Sequence, residues 1–152
     1  MKVEVSSYFP CTFEQCAAQL QTTRLLEYVS RPLLCFVPID PPVLPAMWQV
    51  GNYCVGLRLF GLIPLAQQAI VISIPHAGAD SAELRDNGYG SFIARWDHRI
   101  LMRRDGAGVH YTDRVDIDAG VLTPLVWAFA SVFYRHRQRR WKKLIASGFV
   151  YA

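Results

Sequence analysis

His98 and Asp113 are two ionisable residues on what otherwise reads as the apolar face of a strand pair. The turn Asp105-Gly106-Ala107-Gly108 sets that pair. With Arg104 and Val109 as cross-strand partners, Trp96, His98, Ile100 and Met102 stand opposite Ile117, Val115, Asp113 and Tyr111, because strand side chains alternate with a period of two. His98 and Asp113 are then diagonal neighbours. A carboxylate beside an imidazole orients the ring and raises its basicity, leaving the other ring nitrogen free to move a proton. The same pairing also serves a purely structural end, since a buried carboxylate without a partner is costly. The opposite face carries Arg95, Asp97, Arg99 and Arg103 against Asp118, Asp116, Arg114 and His110. Its diagonals Asp97 to Arg114 and Arg99 to Asp116 suit a solvated surface lattice.

Other reactive residue types lead nowhere as clear. Cys11, Cys16, Cys35 and Cys54 form no CxxC pair and no Cys/His run at zinc spacing, so the expectation is reduced, buried thiols, no metal and no cofactor. Cys54 with His98 has only residue type in favour of a nucleophile–base pair, and is rejected. Asn87-Gly88-Tyr89-Gly90 lacks the context of a phosphate loop and reads as a turn. The 16 Lys and Arg outnumber the 12 Asp and Glu, yet Arg135, Arg137, Arg139, Arg140, Lys142 and Lys143 account for the whole excess. The pI of about 9.0 therefore describes one short segment and not a surface for nucleic acid. At a helix C-terminus such charge is favourable against the dipole. The alternative is peripheral contact with an anionic membrane through Arg139, Arg140, Lys142 and Lys143, with Trp141 inserting at the interface.

The elements that must position these residues follow from periodicity. Val3 and Val5 alternate with Lys2 and Glu4 up to Pro10, a first strand. Thr12 and Gln15 have capping-box spacing, and Phe13 to Val29 predicts one or two short helices. Pro38, Pro41, Pro42 and Pro45 predict a rigid loop over 38–45 at a cavity rim. Antiparallel strands are expected at Trp48–Phe60, with Gly51 and Gly56 as bulges or a bend, then at Leu65–Ile74, Ser91–Arg104 and Val109–Asp118. His76–Gly90 reads as a polar connection. Leu122, Leu125, Val126, Phe129, Phe133, Arg137, Arg140, Trp141 and Leu144 recur at helical spacing, predicting one long amphipathic helix that stops near Gly148. The longest apolar run, Val121 to Tyr134, falls short of the roughly 20 residues of a membrane-spanning helix. Met1-Lys2-Val3-Glu4 shows no leader, and a cytoplasmic chain is expected. At 152 residues and 52% hydrophobic, the composition excludes intrinsic disorder and fits a single α+β domain over 1–152. Its curved antiparallel sheet would wrap around the C-terminal helix.

Trp96-Asp97-His98 on one strand, Thr112-Asp113-Arg114-Val115-Asp116-Ile117 on the next and Tyr134-Arg135-His136-Arg137 late in the last helix resemble motifs of the helix-grip superfamily, also called SRPBCC. That group includes START lipid-binding domains and polyketide cyclase-like proteins. Ile100 stands where those relatives carry an aromatic. The resemblance implies a helix-grip fold and an apolar cavity between sheet and helix, for a small hydrophobic or aromatic molecule such as a lipid or polyketide-like metabolite. Tyr53, Leu57, Leu59, Ile70, Ile72, Trp96, His98, Ile100, Tyr111, Phe129 and Phe133 are the expected ligand-binding residues, with Tyr53, Tyr111 and His98 as the polar orienting groups. An enzyme is the alternative, cyclase or dehydratase-like, with His98 as acid/base, Asp113 orienting it and Tyr111 polarising a carbonyl.

Overall fold

The structure, a computed structural model, describes residues 1–152. Strand β1 (Lys2–Phe9) leads into helices α1 (Phe13–Leu20) and α2 (Thr23–Ser30). Strands β2 (Leu34–Asp40), β3 (Gly51–Leu59), β4 (Ile63–Ala77), β5 (Ser81–Gly90), β6 (Arg95–Asp105) and β7 (Gly108–Asp118) follow, and α3 (Thr123–Ala146) ends the fold. All seven strands form one antiparallel sheet in the order β1-β7-β6-β5-β4-β3-β2. The first and second strands are thus its two edges, and α1 and α2 carry the chain between them. The last helix packs on β1, β7 and α2. This is the helix-grip α+β architecture.

Local chemistry explains the helix boundaries. Thr12 accepts the Gln15 N–H while the Gln15 side chain accepts the Thr12 N–H, a full capping box. Thr22 caps α2 by accepting from Leu25 N. Before α3, the Thr123 hydroxyl donates to Gly120 O and accepts from Ala119 N, with Pro124 in the first turn, where its missing N–H costs nothing. Beyond the last residue of α3 the Ser147 cap is followed by Gly148, whose φ of 70° suits a residue without a Cβ.

The β6–β7 hairpin has the register expected of it: Arg104 faces Val109, Trp96 faces Ile117 and Ile100 faces Asp113. Elsewhere the structure corrects the sequence reading. Residues 34–40, within the expected proline loop and before it, form the edge strand β2. Pro38 is tolerated because an edge strand can do without a ladder donor, and a bulge follows between Pro38 and Asp40. Ser81–Gly90 is a strand, not a polar connection, and Asn87-Gly88 lies within it, not in a turn. Its composition is poor for β structure, but β4 and β6 pair with it on both sides, and tertiary pairing overrides propensity. The bulges lie at Pro38/Asp40, Leu57/Arg58 and Ser73/His76, not at Gly51 or Gly56.

The charged face pairs differently from the expected diagonals for the same reason. The unforeseen β5 places Arg85 on Asp97 through two hydrogen bonds of 2.7 and 3.0 Å, and Glu83 3.5 Å from Arg99. Arg114 pairs with Glu4 on β1, and Arg95 reaches Asp116. Of the cysteines, Cys11 and Cys16 are buried, whereas Cys35 and Cys54 are only partly so.

Candidate functional site

The inward face of β6 and β7 brings His98 and Asp113 together, His98 Nε2 lying 2.9 Å from Asp113 Oδ1. Asp113 is fully buried, and three side chains donate to it. Oδ1 accepts from His98 and from the Tyr111 hydroxyl at 3.3 Å, and Oδ2 accepts from Gln138 Nε2 at 3.0 Å. The Gln138 amide also donates to Val5 O, so α3, β7 and β1 are tied at one point. Burial pushes the Asp113 carboxyl up, but Arg137, His98 and Gln138 outweigh it and hold it below its ordinary value. It is therefore ionised at neutral pH. Burial lowers His98 in spite of that carboxylate, so the ring is neutral. An ionised carboxylate only accepts, so His98 Nε2 carries the proton and Nδ1 keeps its lone pair.

Two further charged groups join this cluster. Arg137, 4% exposed, projects from α3 with its Nε 3.6 Å from Asp113 Oδ1 and without a hydrogen-bond partner. Asp86 lies on the inward face of β5, opposite His98, and accepts the Val71 N–H at 2.8 Å. Burial pushes its carboxyl up to about 7, against the pull of the Val71 N–H and of Arg137. Gly88 makes room for it: a Cβ there would stand 2.6 Å from Ala69 O and 3.1 Å from Asp86 Oδ1.

The cluster closes one end of a cavity of about 440 Å³ between the sheet and the first half of α3. Of its 31 lining residues 23 are hydrophobic, so its walls solvate carbon, and Asp86, His98, Arg137 and the Tyr134 phenol are its ionisable lining groups. The lining reaches the surface at Leu65, Phe92 and Leu125, all exposed. On α3, Phe129 and Phe133 stack at 5.9 Å along the wall.

Leu57, Leu59, Ile70, Ile72, Trp96, His98, Ile100, Phe129 and Phe133 line this cavity. Tyr53 and Tyr111 do not. Trp48 lies edge-on to Tyr53, whose hydroxyl donates to Gln49 O. Tyr111 is sealed behind the cluster between Phe9 and Trp141, so it cannot polarise a carbonyl of a molecule in the cavity. Trp141 itself is fully buried and unavailable for membrane insertion. Arg140 is tied to Tyr28, its guanidinium 4.1 Å over the ring and its Nε donating to Tyr28 O. Arg139, Lys142 and Lys143 remain exposed.

Arg137, Asp86 and Gln138 are the residues that sequence reasoning missed as parts of the site. Arg137 carries a signal: it stands four residues from both Phe133 and Trp141, hence on the apolar stripe of the helix, although its charge resembles that of the exposed cations around it. Asp86 carries none, because the composition of its strand is that of a polar connection.

No protein-family model matches the sequence, and no curated protein matches it. Solved structures do match in shape. Protein CV1439 from Chromobacterium violaceum superposes with a TM-score of 0.71 at 9% identity, covering 95% of this chain and 96% of that one. A START superfamily protein from Mycobacterium smegmatis gives 0.61 at 7% identity, over 96% and 97%. Ara h 8.0201 gives 0.59 at 9% identity, over 97% and 98%. At such identities the likeness establishes architecture alone. The chain has the helix-grip fold, with a cavity under the helix and a buried His–Asp–Arg cluster at its end.

Proposed function

We propose that this protein binds a small hydrophobic or aromatic molecule in the cavity between its sheet and α3. The observation that carries this reading is the cavity itself, about 440 Å³ with a mostly hydrophobic lining, within the range of small-molecule sites. The fold shared with a START superfamily protein agrees with it. N-phenyl-1-naphthylamine, a neutral apolar dye, tests it by its fluorescence on transfer from water to an apolar site. The expected result is saturable one-to-one binding, lost in Ile70→Trp, which fills the void from the sheet side. Absence of saturable binding by a folded protein overturns the reading. Native mass spectrometry of the purified protein, followed by denaturing extraction, identifies any copurifying ligand.

A second reading, acid/base catalysis, is favoured by one feature: neutral His98 is oriented by Asp113 through Nε2, leaving the Nδ1 lone pair without a protein partner. His98 then removes a proton from the bound molecule, and Arg137, not Tyr111, is the group placed to polarise a carbonyl. For an enzyme, His98→Ala abolishes turnover and spares affinity. For a carrier it changes little.

A further inference from the structure

Arg137 is a buried cation whose hydrogen-bonding capacity is not fully used by its neighbours. A guanidinium carries five N–H donors, and burying them without acceptors is expensive. Asp113 balances its charge but does not take its Nε–H, the nitrogen lying 3.6 Å from Oδ1, while His98, Tyr111 and Gln138 donate to the same carboxylate. The Arg137 Nε remains unpartnered. The residue is more than nine-tenths buried and lines the cavity at the end where Asp86 and His98 also meet it. A planar fork of donors at the closed end of an apolar chamber has the geometry that recognises a carboxylate.

Building on the proposed ligand-binding role, we infer that Arg137 receives a carboxylate of the ligand, so that the cavity takes an amphipathic monocarboxylic acid with its chain or ring against the apolar walls. His98 Nδ1 offers only a lone pair and does not bind a carboxylate directly. Asp86 acts as a gate on charge. Protonated, it is a neutral neighbour with a proton to donate; ionised, it repels the incoming anion. The groups that face Asp86 are His98 on β6, the Val71 N–H on β4, and Arg137 and Tyr134 on α3, with the charge of Asp97 acting from the other face of β6. Arg137 alone among them is cationic at neutral pH.

The test is competition against bound N-phenyl-1-naphthylamine by dodecanoate and by 2-naphthoate, each beside its methyl ester, at pH 6 and pH 8.5. The two acids separate an aliphatic from an aromatic occupant. At pH 6 at least one acid is expected to bind about tenfold or more tighter than its ester, the scale of a charge-assisted hydrogen-bond pair. That advantage shrinks at pH 8.5 in the native protein and persists in Asp86→Asn. Arg137→Gln is expected to abolish the preference, so that acid and ester compete equally in the variant. Should that variant fail to fold, the acid-to-ester ratio in the unaltered protein still decides. Equal affinity for acid and ester overturns the anchor while the cavity stands. Failure of the dye to bind at all removes the cavity reading beneath it.

Discussion

The long helix α3 spans roughly 36 Å at about 1.5 Å per residue, and its two halves meet the sheet in opposite ways. In the C-terminal half, Trp141 is fully buried against Phe9 and Tyr111, with ring centroids 5.4 and 5.8 Å away, and Leu144 and Ile145 complete a dry core with α2. In the N-terminal half, Val126, Phe129 and Phe133 line the cavity. One helix and one curved sheet thus make a close-packed interior where they touch and a chamber where they diverge. The junction between them is the cluster of His98, Asp113 and Arg137. The lesson is that burial alone does not separate core from site: Phe133 and Trp141 are both buried, but only one has empty space in front of it.

That comparison can be broken most forcefully from the packed side. Trp141→Ala should cost about 3–5 kcal/mol of unfolding free energy, measured by denaturant titration, because a close-packed neighbourhood cannot collapse into the space left. Phe129→Ala, on the cavity wall, should cost about a third of that or less while weakening dye binding. Equal losses would mean that the two halves of the helix are packed alike.

The junction comes next. Asp113→Asn removes the counter-charge of buried Arg137 and should cost about 3 kcal/mol, since breaking a buried pair leaves the other charge uncompensated. A change below about 1 kcal/mol in the same titration would show that water or a rearranged neighbour replaces the carboxylate.

Asp86 makes a pH-dependent contribution whose sign is opposite to that of Asp113. Its folded pKa of about 7 lies above the ordinary carboxylate value, so between about pH 4 and pH 7 the folded protein holds a proton that the unfolded chain has released. Its contribution to stability is therefore fully present in acid and is lost as pH rises through 7. The depressed Asp113 contributes above the ordinary carboxylate value and loses its contribution only as pH falls through its own lower pKa. His98, also depressed, adds stability as pH rises toward 6.5. Melting curves of the protein and of Asp86→Asn isolate the first effect: the variant should gain on the parent as pH rises from 5 to 8. Parallel curves would mean that Asp86 titrates normally.

The smallest effect is expected on the exposed face of the packed half. Replacing Arg139, Lys142 or Lys143 with Gln should move stability by no more than about 0.5 kcal/mol each. Cosedimentation of the triple variant with anionic vesicles at low and high salt shows whether these cations do anything beyond solvation. Salt-sensitive binding by the parent that the variant loses would give the packed half a surface function of its own.

What was legible in the sequence was what short-range chemistry controls. A two-residue turn at Gly106-Ala107 sets the β6–β7 register, and a period of two then puts His98 beside Asp113 without any knowledge of the rest of the molecule. The capping box at Thr12 and the helical spacing from Leu122 to Leu144 are local in the same sense. Strand β5 was not legible, because Ser81–Gly90 is a strand only by virtue of its partners on either side. With it were hidden Asp86 and the true partners of Asp97 and Arg99. The sequence placed Arg137 on the apolar stripe of a helix, yet only the tertiary structure decided that it is buried against Asp113 while Arg135 and Arg139, two residues away on either side, meet water. Tertiary structure likewise decided that the inward faces enclose empty space at one end and Trp141 at the other. Periodicity tells which side chains point inward, whereas a cavity depends on how far apart two surfaces built from distant segments come to rest.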